Sequence, residues 1–358
     1  YGKDTIRNDS TIIDLFIKMA DLALFSATHV SANEANHSEG AVLMHLLLQN
    51  YIDVLTETQF QTIIASAYKR LKNNIKKPFL RARLFGVIML GFLYRYEATQ
   101  QILKADNALS LMIESIINFL SCFISHYDRK VFIIGMSSIL LQKELDPAIQ
   151  NAISLIFSAI VSMLCIEKNI EHAEQLRKKM RSRTQDSDQE VPQEVPSNEK
   201  IIQSFVSEFN KPNENVNLLG MHKGINARDG FSPSEDDDEE YSEDDDDDSE
   251  DSFGYVAATE EEEAQNIIDT LITGFKNEDE YEYFRKVVYT IRDNQLEGLK
   301  RIIESLSQSK QEYLKLMLQS HRVKTGSQGT ECQVRKVVSV RGQKPLSEQI
   351  PLNNRNGM

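Results

Sequence analysis

The chain has 358 residues, 41% of them hydrophobic and 26% charged, with few glycines and prolines and a net charge of −14 at pH 7. This composition favours a helical, soluble protein, and its longest mostly apolar run, 153–166, is shorter than the roughly 20 residues of a membrane span. The scattered cysteines Cys122, Cys165 and Cys332 argue against a disulfide framework and a paired-cysteine zinc site, and they fit a reducing compartment. Cys122 and Cys165 lie within apolar helical stretches and are predicted to pack in the core.

Apolar residues recur at spacings of three and four along the first half of the chain, which predicts successive amphipathic helices. A turn is expected at 33–40, between the first two helices. The predicted helices lie at 5–25, 41–55, 57–74, 79–96, 105–125, 129–142 and 147–166, followed by a charged helical extension at 171–183.

Two corners carry signals for the start of a helix. Asp128 can accept the unpaired amides of a first turn, so it is predicted to be the N-cap of the helix at 129–142. Asp146 followed by Pro147 repeats the pattern, because proline at the first helical position sacrifices no hydrogen bond. Helices of similar length joined by short corners predict an all-α, HEAT-like helical-repeat superhelix (an α-solenoid) for residues 1–183, with a compact bundle as the alternative.

A polar segment at 184–259 interrupts the helical pattern. It is predicted to be a disordered linker, because it combines low hydrophobicity with high charge, although one short amphipathic helix is expected at 201–209. Residues 260–323 are predicted to form C-terminal helical repeats that pack on the end of the first block, because apolar residues recur at helical spacing at 267–272, 284–291, 299–306 and 314–318. Residues 324–358 are predicted to be a flexible basic tail.

Fourteen carboxylates lie within residues 235–251, a run that we call the acidic loop. No basic residue lies between Arg228 and Lys276 to offset this charge, and neighbouring carboxylates repel each other by about 1 kcal/mol even in water. The loop is predicted to contact cargo or to regulate binding, and direct contact with nucleic acid is not expected. Its carboxylates are Glu235, Asp236, Asp237, Asp238, Glu239, Glu240, Glu243, Asp244, Asp245, Asp246, Asp247, Asp248, Glu250 and Asp251.

Two stretches of the chain carry family motifs. Residues 119–141 read FLSCFISHYDRKVFIIGMSSILL, in which an Asp-Arg-Lys corner leads into an apolar helix. Residues 279–305 read DEYEYFRKVVYTIRDNQLEGLKRIIES. Both resemble the C-terminal part of the importin seven and importin eight group, nuclear transport receptors of the importin-β superfamily. The acidic loop stands where that family carries one, and the resemblance covers roughly residues 4–322, with a departure at 185–230.

The resemblance implies an armadillo-like helical carrier (a karyopherin) that moves basic cargo, such as ribosomal proteins or histones, through nuclear pores. It implies control by Ran-GTP, contact with Phe-Gly nucleoporins, and shuttling between nucleus and cytoplasm. The chain begins at Tyr1 without an initiator methionine and is interpreted as a fragment. The main Ran-binding repeats of the family lie in the N-terminal part that such a fragment lacks. A monomer without a membrane partner is expected.

Three roles remain open for the acidic loop: direct contact with cationic cargo, competition with cargo for a basic inner face, and a solubilising linker. A basic cluster flanks the corner before Pro78 and is interpreted as a solvated edge or, alternatively, as a docking strip for an acidic partner. The cluster comprises Lys69, Arg70, Lys72, Lys76, Lys77, Arg81 and Arg83.

The sequence contains no phosphate-binding glycine loop, no nucleophile elbow, and no histidine at ligand spacing from a cysteine or carboxylate. Catalytic residues, a metal and a cofactor are therefore not expected, and the protein is predicted not to be an enzyme. Two other functions compete with transport: a static HEAT-repeat scaffold, and a histone-chaperone-like acidic protein whose helices support the acidic segment.

Overall fold

The computed structural model describes residues 6–7, 9–25, 34–184, 195–209 and 278–319. These residues are helical without any strand, which confirms the predicted all-α class. The helices are α1 Ser10–Phe25, α2 Glu34–Tyr51, α3 Glu57–Leu71, α4 Pro78–Tyr94, α5 Tyr96–Ala105, α6 Leu109–Asn118, α7 His126–Leu140, α8 Pro147–Thr184, α9 Asn198–Phe209, α10 Glu280–Asn294, α11 Leu296–Glu304 and α12 Gln308–Gln319, with a 3-10 turn at Leu120–Cys122.

The chain divides into two units, Tyr1–Met317 and Leu318–Met358, and only the first two residues of the second unit are described. Within the first unit, the contacts between helices follow two successions. One succession runs through α2, α4, α7 and α10, and the other runs through α1, α3, α5, α6 and α8. Contacts between α1 and α2, between α3 and α4, and between α7 and α8 join the two successions.

Helices α4 and α7 pack on each other as the centre of the core. Twelve of the seventeen residues of α4 are buried, as expected of a helix enclosed by its neighbours. Gly135 allows the close approach of the two helices, since a Cβ atom there would lie 2.6 Å from the Cβ of Met89. Cys122 and Cys165 are buried, as predicted.

The predicted turn at 33–40 is wrong in part, because α2 begins at Glu34. The reason lies in a contact distant in sequence. The Glu34 carboxylate is buried and accepts hydrogen bonds from the backbone N–H groups of Lys76 (2.9 Å) and Lys77 (2.5 Å). These amides precede α4, so Glu34 joins the start of α2 to the corner before α4.

The predicted helix at 79–96 ends early, and α5 follows where no helix was predicted. Arg95 separates the two helices with an extended backbone, φ −142°. Its guanidinium group donates hydrogen bonds to the carbonyl oxygens of Ile52 (3.1 Å) and Leu55 (2.6 Å) and lies over the ring of Phe60. The break in the helix is therefore stabilised by contacts made some forty residues earlier in the chain.

The predicted helix at 105–125 is replaced by α6 and the 3-10 turn. Asn107 adopts a left-handed conformation, φ 54°, after the end of α5. The Ala108 N–H donates to the Leu103 carbonyl and the Asn107 N–H donates to the Lys104 carbonyl. This pattern is a Schellman motif, which ends α5 and forces a new helix to start at Leu109.

The helix predicted at 129–142 begins earlier, at His126, and its N-cap is Ser125, not Asp128. The Ser125 hydroxyl accepts the Asp128 N–H at 3.0 Å, so Asp128 lies within the first turn. The cap predicted at Asp146 is confirmed, since its carboxylate accepts the Ala148 N–H at 2.8 Å. The end predicted at 166 is wrong: α8 continues to Thr184 without a break.

Within the described residues, one helix is long and apolar enough to cross a membrane: the part of α8 at Pro147–Met180. This stretch exceeds the apolar run seen in the sequence, because α8 does not break at 166. However, 61% of its most apolar 18-residue stretch is buried inside the protein. A core helix has these same properties, so the finding is weak evidence for a membrane span.

The second helical block packs on the first, as predicted. The Phe284 ring of α10 lies 5.3 Å from the Phe157 ring of α8, measured between centroids. The Tyr313 hydroxyl of α12 donates to the Leu164 carbonyl at 3.0 Å. The helix predicted at 201–209 is found as α9, which packs on α8. The helix predicted near 260–275 and the tail at 324–358 lie outside the described residues.

Candidate functional site

The start of α7 brings polar side chains to a junction with α8 and α10, which we call the junction cluster: His126, Arg129, Lys130, Glu167 and Glu280. Glu167 is the centre of the cluster. One of its carboxylate oxygens, Oε1, lies 2.5 Å from His126 Nδ1, and the other, Oε2, accepts from Arg129 Nε. Lys130 Nζ lies 3.5 Å from Glu280 Oε2 and so links α7 to α10.

Burial and charge act in opposite directions on this cluster. Burial alone would raise the pKa of Glu167, but the His126 hydrogen bond and the Arg129 charge outweigh it and lower that pKa. The hydrogen bond to Glu167 in turn raises the pKa of His126. Glu167 is therefore an anion held by two donors, although its side chain is only 4% exposed.

The junction cluster opens onto a shallow cleft of about 320 Å³. His126 is its most accessible member, since 58% of its side chain is exposed. Carboxylates outnumber basic groups along the walls, so the cleft favours cations over anions. The cleft is lined by His126, Lys130, Glu171, Glu278, Asp279, Glu280 and Tyr281.

A second, largely buried polar network includes Tyr127 and Asp128 in the first turn of α7. Arg83 of α4 is 0% exposed, and its Nε lies 3.3 Å from Asp128 Oδ1. Its guanidinium carbon lies 4.9 Å from the centre of the Tyr127 ring. The Tyr127 hydroxyl lies 2.9 Å from His45 Nδ1 and accepts from Gln49. The network joins α2, α4 and α7 and shows no opening to solvent at Arg83, so it is structural.

His45 is held neutral within this network. Its Nε2–H donates to the Arg83 carbonyl at 2.7 Å, which leaves Nδ1 to accept from Tyr127. Burial, together with the charge of Arg83, lowers the pKa of His45 to about 3. A protonated imidazole would lack both solvent and an acidic partner here.

This shift predicts a pH dependence of stability. Between pH 6.5 and 3 the unfolded chain binds a proton at His45 that the folded chain does not. The free energy of unfolding therefore falls as the pH falls through this range, by up to about 1.4 kcal/mol per pH unit. Urea unfolding at pH 7 and pH 5 should show a smaller loss for His45→Gln than for the unmodified protein. An exposed histidine of α8, His172, supplies the control: His172→Gln should keep the original pH dependence. Equal losses for all three proteins would contradict the prediction.

The structure also decides the interpretation of the basic cluster. Arg83 and Arg70 are 0% and 5% exposed, so the interpretation of the whole cluster as a solvated edge is wrong. Arg70 lies 3.9 Å from the buried Glu34, while Lys72 pairs with Asp106 at 2.6 Å on the surface. Arg70 and Arg83 lie inside the core, Arg81 is half-buried, and the lysines are exposed to solvent.

The junction cluster was not predicted from the sequence because its members are far apart in the chain: His126 and Glu167 are separated by 41 residues. Only the motif at Asp128 and its neighbours drew attention to this region. The acidic loop, including Glu235 and Asp251, lies outside the described residues. No protein-family model, no curated protein and no solved structure matches the chain.

Proposed function

We propose that this chain is the C-terminal part of a nuclear import receptor of the importin-β superfamily. In this proposal it carries basic cargo, such as ribosomal proteins or histones, through nuclear pores under the control of Ran-GTP. The helices form a HEAT-like superhelix, and the acidic loop contacts cargo. The protein acts as a carrier without catalysis.

The observation that carries the proposal is the packing of α7 on α10. These helices contain most of the two stretches, 119–141 and 279–305, that resemble the receptor family, and more than a hundred residues separate them in the chain. Their contact, with the ion pair between Lys130 and Glu280, gives the two stretches a shared structural role. The two successions of helices are also what stacked helix pairs would produce.

The charge of the acidic loop supports a cationic cargo. Many weak, screened charge contacts give binding that is salt-sensitive and exchanges quickly. Such contacts require no single complementary shape, so they suit proteins with basic surfaces of different shapes.

The first experiment replaces all fourteen carboxylates of the acidic loop with the corresponding amides. Binding of core histones and of a basic ribosomal protein should weaken at least tenfold at physiological salt. A control variant with the same loop residues in shuffled order keeps the charge and should keep the binding. Unchanged binding after neutralisation would refute the role of the loop in cargo contact.

The second experiment separates a receptor from its rivals. Because the family's main Ran-binding repeats are N-terminal, it uses the full-length protein, with GTP-locked Ran and Phe-Gly repeats as ligands. A receptor should bind both and release cargo to Ran. A static scaffold should bind neither, and a histone-chaperone-like protein should bind histones but not Phe-Gly repeats. Either of these last results would overturn the transport proposal.

A further inference from the structure

Three potential metal ligands from three different helices meet in the junction cluster. His126 is on α7, Glu167 is on α8, and Glu280 is at the start of α10. One ligand atom from each lies within 4.8 Å of the others. We propose that His126, Glu167 and Glu280 form a binding site for a divalent transition-metal ion of the Zn²⁺ type.

The donor set suits such an ion. Imidazole nitrogen and carboxylate oxygen are both ligands of Zn²⁺, at distances of about 2.0–2.2 Å. His126 Nδ1 and Glu167 Oε1 lie 2.5 Å apart, with one proton between them. A metal ion would replace that proton, and the exposed His126 side chain can turn to make room. Three protein ligands leave a fourth position for water.

The neighbouring groups hold the ligands in orientation. Arg129 binds the Oε2 atom of Glu167, which directs Oε1 toward His126. Lys130 contacts Oε2 of Glu280 at 3.5 Å, a distance that leaves the carboxylate weakly held. Contacts of this kind, in which a second group positions a ligand, are typical of metal sites.

The charge around the cluster also favours a cation. Glu171, Glu278 and Asp279 line the same cleft as His126 and Glu280. With Glu167 and Glu280 they make five carboxylates. The basic neighbours are Arg129, Lys130 and Lys168, which lies 3.6 Å from Glu171, so a dication would reduce an excess of negative charge. The cleft is open to solvent, which provides a path for the ion.

A bound ion would connect the two helical blocks. Glu280 belongs to the second block, whereas His126 and Glu167 belong to the first. Because the three ligands come together only in the folded chain, an ion that binds them stabilises the docked arrangement. The site would thus set how firmly α10 is held on α7 and α8.

The test measures Zn²⁺ binding by isothermal titration calorimetry, on a chain that lacks residues 234–252 so that the acidic loop contributes no background. One Zn²⁺ per chain should bind, and Mg²⁺ should bind at least tenfold more weakly. His126→Gln and Glu280→Gln should each weaken Zn²⁺ binding at least tenfold. The control His172→Gln changes a histidine of α8 outside the cluster and should bind as the parent chain does.

Two further readouts address the geometry and the consequence. Co²⁺ should give the visible absorption of a four-coordinate ion in the parent chain and in His172→Gln, but not in His126→Gln. Zn²⁺ should raise the melting temperature of the parent chain and not that of Glu280→Gln. Circular dichroism establishes that each variant is folded. Equal Zn²⁺ affinity in the parent chain and both ligand variants, or an absence of Zn²⁺ binding to the folded parent chain, would overturn the proposal.

Discussion

The substitution Asp128→Ala is expected to lower the free energy of unfolding by about 3–5 kcal/mol. Asp128 is 3% exposed, and its carboxylate lies beside the fully buried guanidinium group of Arg83. Removing it takes away the anion that compensates a buried charge, which costs more than the ion pair itself contributes. It also removes the hydrogen bond that Ser125 donates to Asp128 in the first turn of α7. Urea unfolding at pH 7 measures the loss.

The control for this prediction is Asp106→Ala. Asp106 pairs with Lys72 at the shorter distance of 2.6 Å, but about half of each side chain is exposed. Solvent already stabilises both charges there, so the unfolding midpoint should stay close to that of the unmodified protein. An equal loss in the free energy of unfolding for both variants would show that burial of the Arg83–Asp128 ion pair does not cause the effect.

The substitution Phe284→Ala is expected to cost about 3–5 kcal/mol. Phe284 is 0% exposed, and its ring packs on Phe157 across the boundary between the second helical block and α8. The cavity left by the ring weakens the attachment of α10, α11 and α12 in particular. Hydrogen exchange should therefore speed up most at the amides of these three helices, while α4 and α7 keep most of their protection.

Leu316→Ala is the matched control, because Leu316 also belongs to the second block but is 65% exposed. Its loss should change hydrogen exchange in α10 and α11 very little. A uniform increase in exchange over all helices in Phe284→Ala would show that the two blocks unfold as one unit. That result would contradict the expectation that the second block detaches first.

Local signals in the sequence predicted several elements correctly. Asp146 and Pro147 marked the start of α8, because a cap and a proline act within one turn and need no distant partner. The apolar spacing around Phe284 predicted α10 for a similar reason, since one buried face of a helix is enough to reveal its period. Cys122 and Cys165 were predicted to be core residues from their apolar neighbours.

Other features depended on contacts that no local pattern contains. The break at Arg95 arises from carbonyl groups in the turn after α2, and the start of α2 at Glu34 arises from amides that precede α4. Asp128 has the chemistry of an N-cap, but Ser125 takes that position, and Asp128 instead faces Arg83. In each case a tertiary partner competes with the local preference and wins.

The sequence by itself determined the all-α class, most of the helices and the concentration of negative charge in one segment, because these depend on composition and on periodicity along the chain. Only the tertiary structure decided that Arg70 and Arg83 of the basic cluster are buried and that His126, Glu167 and Glu280 meet at one junction. The reason is physical: a charge enters a core only where a distant partner compensates it, and that partner is selected by the packing of helices.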